Sequence, residues 1–212
     1  MDPYQKTFET WNKLASLYQE KFMQLDRYND SYDVFCELVP KNGAPVFEIG
    51  CGPGNITRYL LSKRPDFKIH AIDTSPNMIE LAKNNNPRAQ FSVMDAREIG
   101  SLAMKFDGII SGFCMPYLSE EDNNVFVSNC SRLLNENGVL YLSAIKGNYK
   151  DSGFVKSSTG DECYIYYYDE DFLKRLLDES KLELVELNCR TLERDGVPSL
   201  IEMICIARKL SC

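Results

Sequence analysis

The run Val46-Phe47-Glu48-Ile49-Gly50-Cys51-Gly52-Pro53-Gly54-Asn55 constrains this chain more than any other stretch. A short apolar strand leads into three glycines at alternate positions, and a helix-compatible segment follows. Glycines at this spacing let the backbone turn sharply and come close to a ligand at the carboxyl end of a sheet. The order is G-x-G-x-G, with Asn55 where a dinucleotide fingerprint asks for a third Gly or Ala. Glu48, two residues before the first glycine, suits a cation better than a pyrophosphate.

Downstream, apolar runs recur at the spacing of a wound parallel sheet. Lys68 to Ile72, Gln90 to Met94, Gly108 to Ile110 and Val139 to Ser143 read as four more parallel strands after Val46 to Ile49. Helices are expected near 55–63, 76–84, 97–104 and 120–135. A tyrosine-rich stretch covers 146–168, and a further helix is expected near 170–179. Leu182 to Cys189 and Leu200 to Ala207 read as an antiparallel pair joined by the turn Asp195-Gly196-Val197-Pro198. Ahead of the sheet, Trp11, Leu14, Ala15, Tyr18, Phe22 and Leu25 recur at helical spacing and make one apolar face that has to pack on something. With 212 residues the chain can bury one substantial core. The expectation is a single α/β domain, with a helical arm over 1–42 and a doubly wound core over 43–209.

Two acids follow strands where ligands are read. Asp73 ends the second strand, 19 residues after Gly54, where a carboxylate can accept both hydroxyls of a ribose; it also fits a turn before Ser75-Pro76, a normal helix start. Asp95 opens Asp95-Ala96-Arg97-Glu98, which suits a capping box with Glu98 reaching back, or a contact to a base. The only histidine, His70, lies inside a strand and reads as structural. Eight cysteines show no CxxC or CxxxC spacing, so they read as reduced core residues rather than disulfides or metal ligands.

A net charge of -7 gives no broad attraction to phosphate backbones or anionic lipid, so nucleic acid and membrane partners are not expected. No apolar run approaches the ~18 residues a membrane span needs, and the first residues lack the order of a signal peptide. A cytoplasmic protein, monomer or homodimer, is expected.

Taken in order, Phe47-Glu48-Ile49-Gly50-Cys51-Gly52-Pro53-Gly54, Ile72-Asp73-Thr74-Ser75-Pro76-Asn77-Met78, Met94-Asp95-Ala96 and Phe106-Asp107-Gly108-Ile109-Ile110-Ser111 resemble successive motifs of class I S-adenosylmethionine-dependent methyltransferases of small molecules, such as those of ubiquinone and menaquinone biosynthesis. The resemblance implies a Rossmann-like, doubly wound, seven-stranded sheet, mostly parallel with an antiparallel C-terminal strand. It implies S-adenosyl-L-methionine as cofactor and a small-molecule methyl acceptor. Glu48 would then face the methionine amino group, while Gly50, Cys51, Gly52 and Gly54 line the methionine and ribose. Asp73 and Thr74 would hold the ribose, Met78 pack on the adenine, and Asp95 and Ala96 meet its edge. Tyr18 of the arm, with Ser111 and Phe113 after the fourth strand, would close the methionine end. Met78 also fits a plain helix core face with Leu81 and Ala82, and Tyr18 fits a core tyrosine.

The stretch Ser111-Gly112-Phe113-Cys114-Met115-Pro116-Tyr117 departs from two relatives' patterns. Its Pro116-Tyr117 comes too late for the Asn-Pro-Pro-Tyr motif of N-methyltransferases and replaces the two histidines of some small-molecule enzymes. Ser180-Lys181 stands where relatives have Ala-Gly, so a left-handed Lys181 would cost on the order of 1 kcal/mol relative to glycine.

In-line displacement at a sulfonium asks the protein mainly to align the partners in a dry pocket; a base is needed only if the nucleophile carries a proton that must leave. Tyr117 is the candidate catalytic residue, and Trp11, Tyr117 and Tyr166 are candidates for the acceptor wall. In extended conformation Tyr164, Tyr166 and Tyr168 share a face, which can border a pocket or simply pack on the sheet. Two other readings are a non-catalytic S-adenosylmethionine-binding protein and a nicotinamide-dependent dehydrogenase.

Overall fold

The computed structural model describes residues 2–39, 41–156, 160–194 and 197–211. Three helices precede the sheet: α1 (Pro3–Lys13), α2 (Ala15–Phe22) and α3 (Asn29–Leu38). Asp2 caps α1 by accepting from the Tyr4 N–H at 2.9 Å, and Pro3 occupies the first turn, where its missing N–H costs nothing. The periodic face from Trp11 to Leu25 is thus carried on two helices, interrupted at Leu14.

The core begins with β1 (Pro45–Ile49), α4 (Asn55–Lys63), β2 (Lys68–Asp73), α5 (Pro76–Asn85), β3 (Gln90–Val93) and β4 (Phe106–Ser111). It continues with α6 (Glu120–Leu133), β5 (Leu134–Ile145), β6 (Gly153–Lys156), β7 (Glu162–Ile165), α7 (Glu170–Glu179), β8 (Leu182–Arg194) and β9 (Val197–Lys209). Seven strands form one sheet in the order β3-β2-β1-β4-β5-β9-β8, parallel through β5, with β9 antiparallel to both neighbours. This is the seven-stranded arrangement expected from the sequence. Strand order reverses between β1 and β4, and ligands of such sheets bind at the carboxyl ends beside that point.

Alternating side chains feed two cores. Phe47, Ile49, Ile109 and Leu140 pack toward α6 and α7, whereas Val46, Ile69, Ile110 and Tyr141 pack toward α3, α4 and α5. Three details depart from expectation. Residues 97–104 do not form an α-helix; Ala96–Ser101 is a 3-10 helix capped by Asp95. The final two strands run longer than their apolar cores. The tyrosine-rich stretch supplies β7, which pairs with β6 as a separate hairpin. The turn expected at Asp195-Gly196 lies outside the described residues. Lys181 does adopt the left-handed conformation, with φ 57°.

Candidate active site

Gly50, Gly52 and Gly54 all have positive φ, at 73°, 53° and 82°. Gly54 caps α4, and a Cβ there would stand 2.4 Å from Asn86 Nδ2, so glycine is required both by conformation and by the close approach of α5. Asp73 ties the turn to β2: Oδ2 accepts from the Gly52 N–H at 2.9 Å and Oδ1 from the Ser75 N–H at 2.8 Å. Burial raises the Asp73 pKa, with those two N–H bonds opposing the rise.

A cavity of about 330 Å³ opens over these strand ends. Among the residues expected to bind cofactor, Tyr18, Gly50, Gly52, Asp73, Thr74, Met78, Asp95, Ala96 and Phe113 line it. Of those expected to meet the acceptor, Trp11 and Tyr117 line it too. Glu48, Cys51, Gly54 and Ser111 do not, and all four are buried. Glu48 is wholly buried, accepts from Thr57 Oγ1 through Oε2, and leaves Oε1 without a partner. Burial pushes its pKa up to about 8. Cys51 and Ser111 are buried behind the turn and β4.

Tyr166, the third acceptor-wall candidate, does not line this cavity. It is buried in the core, its N–H donates to the Pro116 carbonyl at 2.8 Å, and its ring stacks on Tyr149 at 5.9 Å. Tyr164 and Tyr168 also stand off the cavity wall; the Tyr168 hydroxyl donates to the Leu118 carbonyl and accepts from Asn123 Nδ2 at 2.9 Å. Tyr164 and Tyr166 pack on Phe154 and Tyr149, whereas Tyr168 borders a second cavity together with Tyr149 and Phe172.

Asp95 caps the 3-10 helix, its Oδ1 accepting from the Arg97 N–H at 2.8 Å, and it also lines the cavity. Arg97 Nη2 donates to Asp95 Oδ2 at 2.6 Å and Arg97 Nε to Oδ1 and Oδ2 at 3.1 and 3.0 Å, while Glu98 does not reach back in a capping box. Burial works against the charge on Asp95, but the Arg97 bonds outweigh it and hold the carboxyl below its ordinary range. Arg97 in turn lies over the Tyr4 ring, 4.1 Å from its centroid.

Besides Trp11, α1 brings Tyr4, Thr7 and Phe8 to the cavity, three residues that no sequence motif marks. The helix lies across the opening, held by polar contacts on several sides. Tyr4 Oη donates to Asp122 and accepts from the Ser119 N–H at 2.9 Å, and Thr7 Oγ1 accepts from the Tyr164 N–H at 3.0 Å. At the other end, Asn12 Oδ1 accepts from Ser75 Oγ at 2.7 Å. The N-cap pair Asp2-Pro3 was the available signal for this helix, but not for its place. Phe113, also on the wall, holds φ 64° without being glycine; its N–H donates to Ser143 Oγ at 2.7 Å.

The residues present suit a cationic nucleoside better than a pyrophosphate. Asp2, Asp73 and Asp95 line the cavity against one cationic side chain, Arg97, and that one is paired. Residues 46–138, the segment carrying β1 through the start of β5, match the model of a methyltransferase domain family. Over that segment, and in its sheet order, the chain is similar to class I S-adenosylmethionine-dependent methyltransferases.

The malonyl-[acyl-carrier protein] O-methyltransferase of Acetivibrio thermocellus is 32% identical to this chain over 109 residues, 50% of this chain and 38% of that one. The magnesium protoporphyrin IX methyltransferase of Synechocystis, solved with bound S-adenosylmethionine, superposes with a TM-score of 0.71 at 15% identity, over 99% of this chain and 98% of that one. The 1,6-didemethyltoxoflavin-N1-methyltransferase of Burkholderia thailandensis superposes with the same TM-score at 18% identity, over 100% and 92%. The chain spans half or less of the length of the first curated relatives it matches. Among its described residues no helix is long and apolar enough to cross a membrane, and no group of His, Cys, Asp and Glu could hold a metal ion.

Proposed function

We propose that this methyltransferase transfers the methyl group of S-adenosylmethionine to a small-molecule acceptor by in-line displacement. The observation that carries the reading is the Asp73–Gly52 bond at the mouth of an acid-lined cavity, which fixes a carboxylate and a glycine turn as one unit. Bound there, the cofactor supplies an electrophilic methyl group on a sulfonium.

Asp73 would accept the ribose hydroxyls, and Met78, Met94 and Ala96 would pack about the adenine. Because Arg97 occupies both oxygens of Asp95, the base would meet the backbone of that turn rather than a free carboxylate. Glu48, buried with one oxygen unpaired, is the acid available to compensate a positive ligand above Gly50. Trp11, Tyr18, Phe113, Cys114 and Tyr117 would exclude water around the reacting atoms. The small molecules named for two solved neighbours, magnesium protoporphyrin IX and 1,6-didemethyltoxoflavin, support a small acceptor, as does a cavity of about 330 Å³.

Calorimetric titration with S-adenosylmethionine and S-adenosylhomocysteine tests the cofactor assignment; both should bind and raise the melting temperature. Neither heat nor a melting shift at millimolar ligand would refute it. Transfer of labelled methyl to components of a metabolite extract tests the catalysis and distinguishes it from cofactor binding alone.

A further inference from the structure

Glu48 is wholly buried on β1, two residues before Gly50 of the cavity wall. Among the described residues Thr57 alone offers it hydrogen bonds: the hydroxyl donates to Oε2 and the backbone N–H lies beside the carboxyl, while Oε1 has no bond of its own. The ionisable groups that face it are Asp73 from β2, Tyr18 from α2, Tyr32 from α3 and Cys51 from the glycine turn, and no cation is among them. A carboxylate in such surroundings loses its hydration without gaining a counter-charge, so the neutral acid is the form the fold favours.

Positive charge on the cavity wall lies elsewhere. Arg97 is paired with Asp95 and covers the Tyr4 ring, while Asp2 accepts the Tyr4 N–H, so these three charges gather at the start of α1. Around the glycine turn the wall is neutral but for one acid. Tyr18 would stand 3.6 Å from a Cβ at Gly52 and Cys114 3.4 Å from one at Gly50, and Asp73 is bonded to the turn itself. A cation seated over the turn meets Asp73 on the wall and lies within the electrostatic reach of Glu48, which extends to both Asp73 and Tyr18.

We infer that cofactor binding draws a proton from Glu48: the carboxyl is neutral in the ligand-free protein and ionises when the ammonium of the cofactor's amino-acid end comes to rest over the glycine turn. This rests on the methyl-transfer reading above and adds to it a change of charge state at a residue off the cavity wall. The O–H bond of the acid breaks with its electron pair staying on the carboxylate, and the proton passes to solvent; no other bond changes. Asp73, whose two oxygens already accept N–H bonds from Gly52 and Ser75, is the ribose acid and not the source of the proton.

The free and bound states differ in what surrounds the acid. Burial pushes the Glu48 pKa up to about 8 before the ligand arrives, despite the opposing Thr57 bonds. An opposite charge within ~4–6 Å favours the ionised form by roughly one to three orders of magnitude in the acid constant. Release on binding is therefore confined to pH below about 8, where the ligand-free acid still holds its proton, and in that range affinity falls as pH falls.

Calorimetry on the full chain at about pH 7, repeated in phosphate and imidazole buffers whose ionisation heats differ, counts the protons released on binding. The probes are S-adenosylhomocysteine and methylthioadenosine, which keeps the adenosine and the thioether but has no ammonium. With S-adenosylhomocysteine the wild type should release at least about 0.4 of a proton. Methylthioadenosine, which fills the Asp73 end without bringing a positive charge, should release less than about half as much. Glu48→Gln keeps an acceptor for Thr57 and has no proton to lose, so its release with S-adenosylhomocysteine should also fall below about half of the wild-type count. No heat with S-adenosylhomocysteine overturns the methyl-transfer reading and this inference with it. Binding of S-adenosylhomocysteine with less than about 0.4 of a proton released, an equal release with methylthioadenosine, or an undiminished release in Glu48→Gln overturns the inference alone. If methylthioadenosine gives no heat, the variant decides; if the variant fails to fold, the two wild-type titrations decide.

Discussion

Asp73 accepts the backbone N–H of Gly52 at 2.9 Å, so the acid ending β2 and the turn following β1 are a single rigid unit. The bond crosses between two parallel neighbours and leaves the carboxylate facing the cavity. Replacing Asp73 by alanine removes both that acceptor and the one for the Ser75 N–H. Cofactor affinity should fall by roughly 1–3 kcal/mol, the scale for losing hydrogen bonds to a charged acceptor. Asp73→Asn, which retains an acceptor oxygen, should lose less. Titration of both variants with S-adenosylhomocysteine checks the order, and equal affinities across wild type, Asn and Ala would remove the ribose assignment.

Glu48 carries a pH dependence whose sign is fixed by burial. The folded chain holds the Glu48 proton up to about 8, whereas the unfolded chain releases it near the ordinary 4.5. The stability gained by keeping this carboxyl neutral is therefore whole below 4.5 and is lost as pH rises toward about 8. Glu48→Gln stays neutral throughout and retains an acceptor for Thr57. In urea denaturation of the ligand-free protein, the variant should be the more stable at about pH 9, with the gap closing toward about pH 5. Parallel curves across that range would show that Glu48 ionises without penalty.

The parts of this molecule legible in its sequence are those decided locally. The strand, glycine turn and helix from Val46 to Lys63, the acid at Asp73 and the turn at Asp95 all follow from short-range pattern, and each stands where the pattern put it. Side chains whose role depends on a distant neighbour were not legible. Glu48 has the right spacing, but alternation turns it toward Thr57, away from the cavity wall. Tyr166 shares a face with its fellow tyrosines, but that face meets Tyr149 and the Pro116 carbonyl. The place of α1 over the cavity depends on Tyr4 meeting Asp122 and Ser119, contacts 118 and 115 residues away in the chain.

That remote attachment makes Tyr4→Phe informative. The ring stays to face Arg97, while the hydroxyl that joins α1 to the start of α6 is lost. Stability should drop by about 1 kcal/mol, the net worth of such a bond. Hydrogen exchange should quicken in α1 and leave the α6 interior unchanged. Uniform exchange would mean that α1 opens only with the whole fold.

Gly108 tests packing rather than conformation. A Cβ on this β4 residue would stand 2.7 Å from Phe35 Cζ and 3.0 Å from Val39 Cγ2, so α3 settles onto the sheet only because the side chain is absent. Gly108→Ala should destabilise by about 1–3 kcal/mol, as overpacking of a filled core does. Thermal denaturation of the ligand-free protein checks this, and an unchanged melting temperature would show that α3 shifts freely.

Phe113 separates backbone strain from side-chain packing at the cavity wall. Its φ of 64° lies in the left-handed region, which costs an L-residue roughly 1–2 kcal/mol, and the conformation is held by the N–H bond to Ser143 and by the ring's contact with Tyr28 at 5.0 Å. Phe113→Ala removes the ring and keeps the backbone cost; Phe113→Gly removes both. If the residue is held against its own preference, the glycine variant should be the more stable of the two by about 1 kcal/mol, although glycine in an ordinary conformation is the worse choice on entropy. Both variants lose the same wall, so both should lose methyl transfer to a similar extent, which keeps the stability difference from being read as a difference in packing. Chemical denaturation of the pair decides: an alanine variant as stable as the glycine variant, or more so, would place the backbone under no strain and leave the ring's packing as the whole contribution of Phe113.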